Sequence, residues 1–352
     1  METATVKLTA YSHGAGCGCK MAPAVLAQLL ANDEAQKSFP ALLVGNDTRD
    51  DAAVYDIGNG TALISTTDFF TPIVDDAFEF GRIAAANAIS DVFAMGGKPL
   101  MAVAIFGWPV DQLSPELAQQ VLAGGRAICA DAGIPMAGGH SIDSTEPIFG
   151  LAVTGALPIH HLKRNNTAQS GDYLLLTKPI GVGIVATAQK RGVAEEKDVQ
   201  LAIAQMSTLN KVGEQLGAVA GVTAMTDVTG FGLLGHLIEM CEGAGLSATL
   251  QYDAIPILPA ARTYLAQRAI PDATYRNWNS YSNKVGFETG VNVMEAFSLL
   301  PDPQTNGGLL ISVRPEAIAQ VGEILIAAGL DDYTKPIGTM HASADKCITV
   351  AG

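Results

Sequence analysis

Residues 12–20, Ser-His-Gly-Ala-Gly-Cys-Gly-Cys-Lys, set two thiols and an ammonium in a glycine-rich stretch. Glycine opens backbone conformations closed to other residues and is costly to order, so the stretch reads as a mobile arm that orders around a ligand. A reactive thiolate needs a positive neighbour, and Lys20 stands three residues after Cys17. The Cys17–Cys19 pair lacks the second pair or His cluster of a structural zinc site. An exposed tail with incidental thiols is the plain alternative.

Acidic residues recur in the motifs that follow. Thr48-Arg49-Asp50-Asp51 sets two carboxylates beside a guanidinium, suited to a cation and a phosphate side by side, or else to a solvated turn with a local ion pair. Asp68 closes Thr66-Thr67-Asp68 at a strand end, where α/β proteins place ligands and where a carboxylate also caps helices. Asn87 and Asp91, four apart with Ser90 beside them, form one polar stripe on a segment otherwise apolar all round. A buried carboxylate is costly unless paired or metal-bound, which makes Asp91 a metal-ligand candidate, with a buried arginine pair as the alternative. Gly138-Gly139-His140-Ser141 reads as a strand-to-loop transition whose N–H groups can approach phosphate or adenine, or as a simple turn. Asp227 opens Asp-Val-Thr-Gly-Phe-Gly, either capping the next helix or holding a metal against phosphate. Asn306-Gly307 before an apolar run reads as a hairpin turn, with no chemistry assigned. The P-loop pattern Gly-x-x-x-x-Gly-Lys-Ser/Thr does not occur, so phosphates would be held by metals and arm residues. Together these residues point to phosphoryl transfer to an unusual acceptor.

The elements that must position them are of mixed type. Strands are expected at 41–45, 62–67, 101–106 and 151–155, and helices at 23–30, 80–94, 115–132, 199–216, 233–242 and 315–328, giving an α/β or α+β class. The His-His, Lys-Arg and Asn-Asn pairs of 159–171 mark a boundary. The expected organisation is an arm and lead-in over 1–47, a first domain over 48–157 and a second over 158–352. The 352 residues carry 21 basic and 35 acidic side chains, a net charge of −14. That balance argues against nucleic acid or an anionic membrane as partner, and calls for magnesium between carboxylates and a nucleotide. Apolar runs are too short for a bilayer span, and no signal peptide is expected. Five scattered cysteines, with Cys129 and Cys241 in apolar patterns, fit a reduced, cytoplasmic protein.

Read in order, the motifs at 12–20, 48–55, 65–70, 87–97, 137–143, 226–236 and 302–310 closely resemble the selenophosphate synthetase family (the selenide, water dikinases). That family belongs to the wider aminoimidazole-ribotide-synthetase-like superfamily. The resemblance spans essentially the whole chain, and the cysteine arm is what separates this family from the rest of the superfamily. It implies that ATP, selenide and water give selenophosphate, AMP and orthophosphate. It also implies a homodimer whose N-terminal halves join strands into a barrel, with ATP near the interface and a C-terminal α/β domain. Carried over, Cys17 is the catalytic position and Lys20 the essential lysine. Asp51, Asp91 and Asp227 match magnesium ligands. Lys20, Thr48, Arg49, Asp50, Asp68, Asp91, Gly139, His140 and Ser141 match nucleotide-contacting positions, with Asn87 a neighbour of the site. Asn306 stands where the family more often has serine. A monovalent cation and a selenium-delivery protein complete the implied company. Another ATP-dependent enzyme of the superfamily, or a non-catalytic thiol-based selenium carrier, are the alternatives.

Overall fold

The computed structural model describes residues 6–21, 25, 29, 39–46 and 49–352. Thr48, the body of the expected helix 23–30 and the side chain of Cys19 lie outside the described residues.

Six strands build a first sheet: β1 (Leu42–Val44), β2 (Ala53–Gly58), β3 (Thr61–Phe70), β4 (Lys98–Trp108), β5 (Met136–Asp143) and β6 (Ile148–Pro158), in the order β1-β2-β3-β6-β4-β5. In β3 every second residue is buried, namely Ala62, Ile64, Thr66, Asp68 and Phe70, while Leu63, Ser65, Thr67 and Phe69 face solvent. This period-two pattern is that of a sheet covered on one face. The cover is α1 (Ala77–Ala94), backed by α2 (Pro115–Asp131). The uncovered face exposes Tyr55, Leu63, Phe69, Met101 and Val103.

Seven strands build the second sheet: β7 (Tyr173–Leu176), β8 (Val222–Asp227), β9 (Leu246–Gln251), β10 (Val285–Phe287), β11 (Leu309–Val313), β12 (Gly338–Ala342) and β13 (Ile348–Ala351), in the order β10-β13-β9-β12-β7-β11-β8. Every residue of β11 is buried. The helices of this half are α3 (Val182–Lys190), α4 (Glu196–Ser207), α5 (Val212–Gly217), α6 (Gly232–Ala244), α7 (Pro259–Ala266), α8 (Asp272–Tyr281), α9 (Val293–Leu299) and α10 (Ile318–Ala327).

The apolar circumference of α1 has a structural cause. It packs on β3, β6 and α2 of its own half and on α4, α5 and β8 of the other, so beyond its first turns, where Phe78, Glu79 and Arg82 reach solvent, it is buried. Its N-cap is Asp76, whose carboxylate accepts from the Glu79 N–H at 2.9 Å. The capping role open to Asp68 is therefore excluded, since Asp68 sits in the body of β3 opposite Leu151. Where α1 ends, the halves meet without side chains between them. A Cβ on Gly217 would lie 2.5 Å from the Gly96 carbonyl oxygen, and one on Gly213 2.3 Å from that of Phe93.

Three expectations are corrected. The helix expected over 199–216 is two helices, because its mid-point carbonyls are taken from outside: Asn306 Nδ2 donates to Met206 O (2.6 Å) and Thr208 O (2.8 Å), and Lys178 Nζ to Thr208 O (2.7 Å). The Gly138–Ser141 segment is not a strand-to-loop transition but part of β5, paired in parallel with β4. Gly139 is there for packing, since a Cβ would stand 2.4 Å from Ala104 O. The 302–308 segment is not a hairpin turn. It runs from α9 into β11 and is buried throughout.

Candidate active site

The arm is closed in the structure and forms short 3-10 turns at Leu8–Tyr11 and Gly16–Cys19. Gly16 adopts φ +50°, and a Cβ there would lie 2.6 Å from both Ile73 Cδ1 and Thr305 Oγ1. Only glycine fits this notch without strain. Cys17 is fully buried. Its N–H donates to Thr305 Oγ1 (3.0 Å) and its thiol to Asn87 Oδ1 (3.2 Å).

Asn87, on α1, is the hub. Its Oδ1 also accepts from the Asn306 N–H at 2.7 Å, and its Nδ2 donates to Asp68 Oδ2 at 2.5 Å. A backbone donor on one side and a carboxylate on the other fix the orientation of the amide. The acceptor therefore faces the Cys17 sulfur. Lys20 Nζ meets the same Asp68 oxygen at 3.2 Å. Burial opposes the lysine's charge, but Asp68, with Cys17, Asp91 and Asp227 beyond it, outweighs that effect and holds the pKa well above the usual lysine value.

Behind this chain lie three carboxylates. Asp51 precedes β2 and accepts from Thr226 Oγ1 at 2.8 Å. Asp91, on α1, accepts from the Thr66 hydroxyl. Asp227 ends β8 and bonds the Ser90 hydroxyl, which in turn accepts from Asn210 Nδ2 at 2.8 Å. Burial first, and then Asp227 and its neighbours, push Asp51 and Asp91 well above the usual carboxylate range. Burial raises Asp227 to about 6 against the pull of Ser90 and Lys20. Asp51 Oδ2 and Asp227 Oδ2 are sealed from solvent with no hydrogen-bond partner. Crowded, mutually repelling, orphaned oxygens are the donor set of a hard divalent cation, and the site fits one. Among the described residues no three His, Cys, Asp or Glu side chains are arranged so as to hold a metal ion by themselves. An ion here would take its remaining ligands from water or from substrate phosphate, which is how magnesium binds in phosphoryl-transfer sites.

The rim is held by the segment that joins the two sheets. Asn165 N donates to Asp50 Oδ1 (2.7 Å) and its Nδ2 to Arg49 O (2.8 Å), with Arg49 itself at φ +55°. For residues 49–51 the solvated-turn reading thus gives way to an anchored one. Burial raises Glu239 to about 7 against the opposing charges of Arg49 and Lys20. Neighbouring His236 is pushed down to about 3 by burial and by Lys20. Its Nε2 accepts from the Thr229 N–H at 3.1 Å, so the proton of the neutral ring sits on Nδ1, toward Glu239.

Cys17, Lys20, Asp51, Asp68, Asn87, Asp91 and Asp227 are thereby gathered at one place. The helix-capping alternative for Asp227 fails, since α6 starts after Phe231 with no side-chain cap. Gly139, His140 and Ser141 are elsewhere, on the exposed edge strand β5, lining a separate groove of about 540 Å³ with Phe106, Trp108 and Arg126. Thr305 and Lys178 belong to the site without having stood out in the sequence, and Asn306, read there as part of a turn, joins them. Lys178 Nζ donates to Thr208 O and to Asn306 O (2.8 Å), and burial lowers it to about 7 against the opposing effect of Asp227. The one available signal for it was a lysine closing the apolar strand Tyr173–Leu176.

Known proteins resemble this chain in sequence and in fold. The AIR synthase related protein profiles match the chain at residues 49–157 (N-terminal domain) and 169–350 (C-terminal domain). A curated selenide, water dikinase of Cronobacter sakazakii is 56% identical over 331 residues, covering 94% of each chain. One of Yersinia pseudotuberculosis is 56% identical over 346 residues, covering 98% of this chain and 97% of its own. Among solved structures, thiamine-monophosphate kinase from Stenotrophomonas maltophilia superposes with a TM-score of 0.64 at 18% identity, over 93% of this chain and 94% of its own. The hydrogenase maturation protein HypE in complex with ATP gives 0.65 at 17%, over 89% and 87%. At such identities the structural likeness speaks for the fold alone.

Proposed function

The chain belongs to the AIR synthase related proteins and, among them, to the selenide, water dikinases; from that premise we propose that it converts ATP, selenide and water into selenophosphate, AMP and orthophosphate. The observation that carries this reading is the continuous contact from the sealed Cys17 thiol through Asn87 and Asp68 to Lys20, with Asp51, Asp91 and Asp227 behind it. A superfamily member acting on other acceptors has no use for such a thiol arm.

Asp51, Asp91 and Asp227 hold magnesium in this reading, and the metal's contribution is to neutralise triphosphate charge in an otherwise acidic pocket. Lys20, Arg49, Asp50, Asp68 and Asp91, with Thr48, contact the nucleotide. Hydrogen selenide is a strong nucleophile and needs no general base, so the chain's task is delivery and protection. Cys17 sits where selenium must arrive, and the closed arm keeps water from the γ-phosphate until the first transfer is complete. Lys20, already charged and held by Asp68, meets the charge that develops as the phosphoryl group moves. The remaining ADP is hydrolysed in the same pocket.

The apolar residues on the uncovered face of the first sheet, and the long exposed edge β5, support a homodimer joined through these strands. In that assembly Gly139, His140 and Ser141 would serve a nucleotide at the interface. A reducing, cytoplasmic compartment suits a thiol that must stay reduced, and a monovalent cation and a selenium-delivery protein remain part of the proposal. Anaerobic ³¹P NMR with ATP, magnesium and selenide tests the reading. A selenium-coupled phosphorus signal appearing together with AMP, and lost in Cys17→Ala, is the expected result. ADP accumulating without that signal would overturn it.

A further inference from the structure

The face of the arm turned away from the carboxylates borders a second cavity, of about 450 Å³, between the arm, the end of α3 and the start of α8. Lys190, Arg191 and Arg276 stand in its wall against a single carboxylate, Asp272. His13, at the same wall, is already paired with Glu146. In a chain of net charge −14 this is a local reversal of sign.

Two of these cations hold the arm. Lys190 Nζ donates to Ser12 O at 3.2 Å, and an Arg276 guanidinium N–H to Gly18 O at 2.8 Å. They grip backbone carbonyls on either side of Cys17. Thr305, which receives the Cys17 N–H, lines the same cavity. A carbonyl is a neutral acceptor, whereas a phosphate oxygen forms charge-assisted bonds roughly twice as strong and matches the arginine fork in geometry. A phosphate-class anion entering the cavity therefore competes for the groups that keep the arm shut.

We propose that this cavity binds a phosphate-class oxyanion and that its occupation draws Lys190 and Arg276 off the arm, so that the arm opens. The proposed reaction releases two such anions, orthophosphate and selenophosphate, and the identification of the source rests on that reading; the binding and the opening do not.

The test uses magnesium-free protein and no turnover, so its outcome is independent of whether selenophosphate is made. Calorimetric titration with inorganic phosphate, and separately with thiophosphate as the stand-in for selenophosphate, is compared among wild type, Arg276→Gln, Lys190→Gln and Asp51→Asn. Alkylation of Cys17 by iodoacetamide, followed by peptide mass spectrometry, reports the arm. Expected are equal binding by wild type and Asp51→Asn, affinity about tenfold or more weaker in the two cavity variants, and Cys17 alkylation several-fold faster with phosphate in wild type. In Arg276→Gln alkylation is already fast and indifferent to phosphate. Tighter binding of thiophosphate assigns the cavity to selenophosphate, and tighter binding of phosphate to the second product. Absence of binding, binding untouched by both cavity variants, or binding lost in Asp51→Asn overturns the site. Binding without faster alkylation overturns the opening. Lys190 is exposed at a helix end, so its variant keeps the test decisive should Arg276→Gln fold poorly.

Discussion

The two sides of the arm differ in both sign and solvation. Toward α1 the charges are carboxylates, with Asp91 and Asp227 at 8% and 1% exposure. Toward α3 and α8 they are Lys190, Arg191 and Arg276, all exposed. On the buried acidic side an anion can be accommodated only with cations brought along, because desolvated like charges repel strongly. On the open basic side an anion is held directly, and weakly enough to leave. The arm thus separates a place where phosphate must be committed to chemistry from one where it can be surrendered. The Cys17 thiol looks to the first side, and its backbone N–H bonds Thr305, which borders the second.

Neutralising the acidic side should break the contrast most severely. Asp227→Asn removes a charge that the fold tolerates poorly, so selenophosphate formation is expected to fall by about 10²–10³-fold or more. In metal-free protein the same variant should melt at a higher temperature than wild type, since function and stability oppose each other at such a site. A lower melting temperature together with full activity would show that the cluster is structural. Asn87→Ala comes next. It leaves Asp68 and the Asn306 N–H short of a partner and frees the thiol, and should cost about 1–3 kcal/mol in urea unfolding as well as most of the selenide-dependent AMP release. Unchanged AMP release would detach Cys17 from the reaction.

The smallest effect is expected on the basic side, where Asp302 supports α3 by accepting from the Gly183 N–H at 3.1 Å. Burial raises Asp302 to about 8 from an ordinary 3.8, against the hydrogen bonds of Gln304 and of the α3 backbone. A carboxyl raised in the fold binds its proton more tightly folded than unfolded. Its contribution is therefore complete below the ordinary value and is lost as pH rises toward 8. Asp302→Asn, neutral at every pH, should gain melting temperature relative to wild type between about pH 4 and 8, by a few degrees, with no further gain above. A difference independent of pH would show that Asp302 is charged in the fold.

The sequence made α1 legible because, beyond the Glu79–Arg82 pair of its first turns, it is apolar except at Asn87, Ser90 and Asp91, and a polar stripe on such a helix has few structural excuses. Asp227 was legible as an acidic residue at a strand end and Asp68 as one on a strand, although their alternative as caps fell only when Asp76 and Phe231 were found in those places. The 302–308 segment was not legible. Asn306-Gly307 has the local chemistry of a turn, and what makes it part of the site is contact with Asn87 and Met206, 219 and 100 residues away. The break between α4 and α5 was hidden for the same reason: the carbonyls that end α4 are claimed by Lys178 and Asn306, which no window of local periodicity contains. The close approach of Gly139 to Ala104 was equally illegible, since the strand that demands it lies 35 residues earlier in the chain.

The glycine joint at the end of α1 has a mechanical consequence. Where Gly96 meets Gly217 and Gly213 meets Phe93, main chain rests on main chain, with no side chain between to act as a bearing. Shear between the halves would drive backbone atoms into overlap within a fraction of an ångström. The expected consequence is that the two sheets keep their relation during the proposed reaction, and that substrate is admitted by a swing of the nine residues 12–20. A pair of spectroscopic probes, one on each sheet, should keep a fixed separation through turnover while a probe on the arm moves.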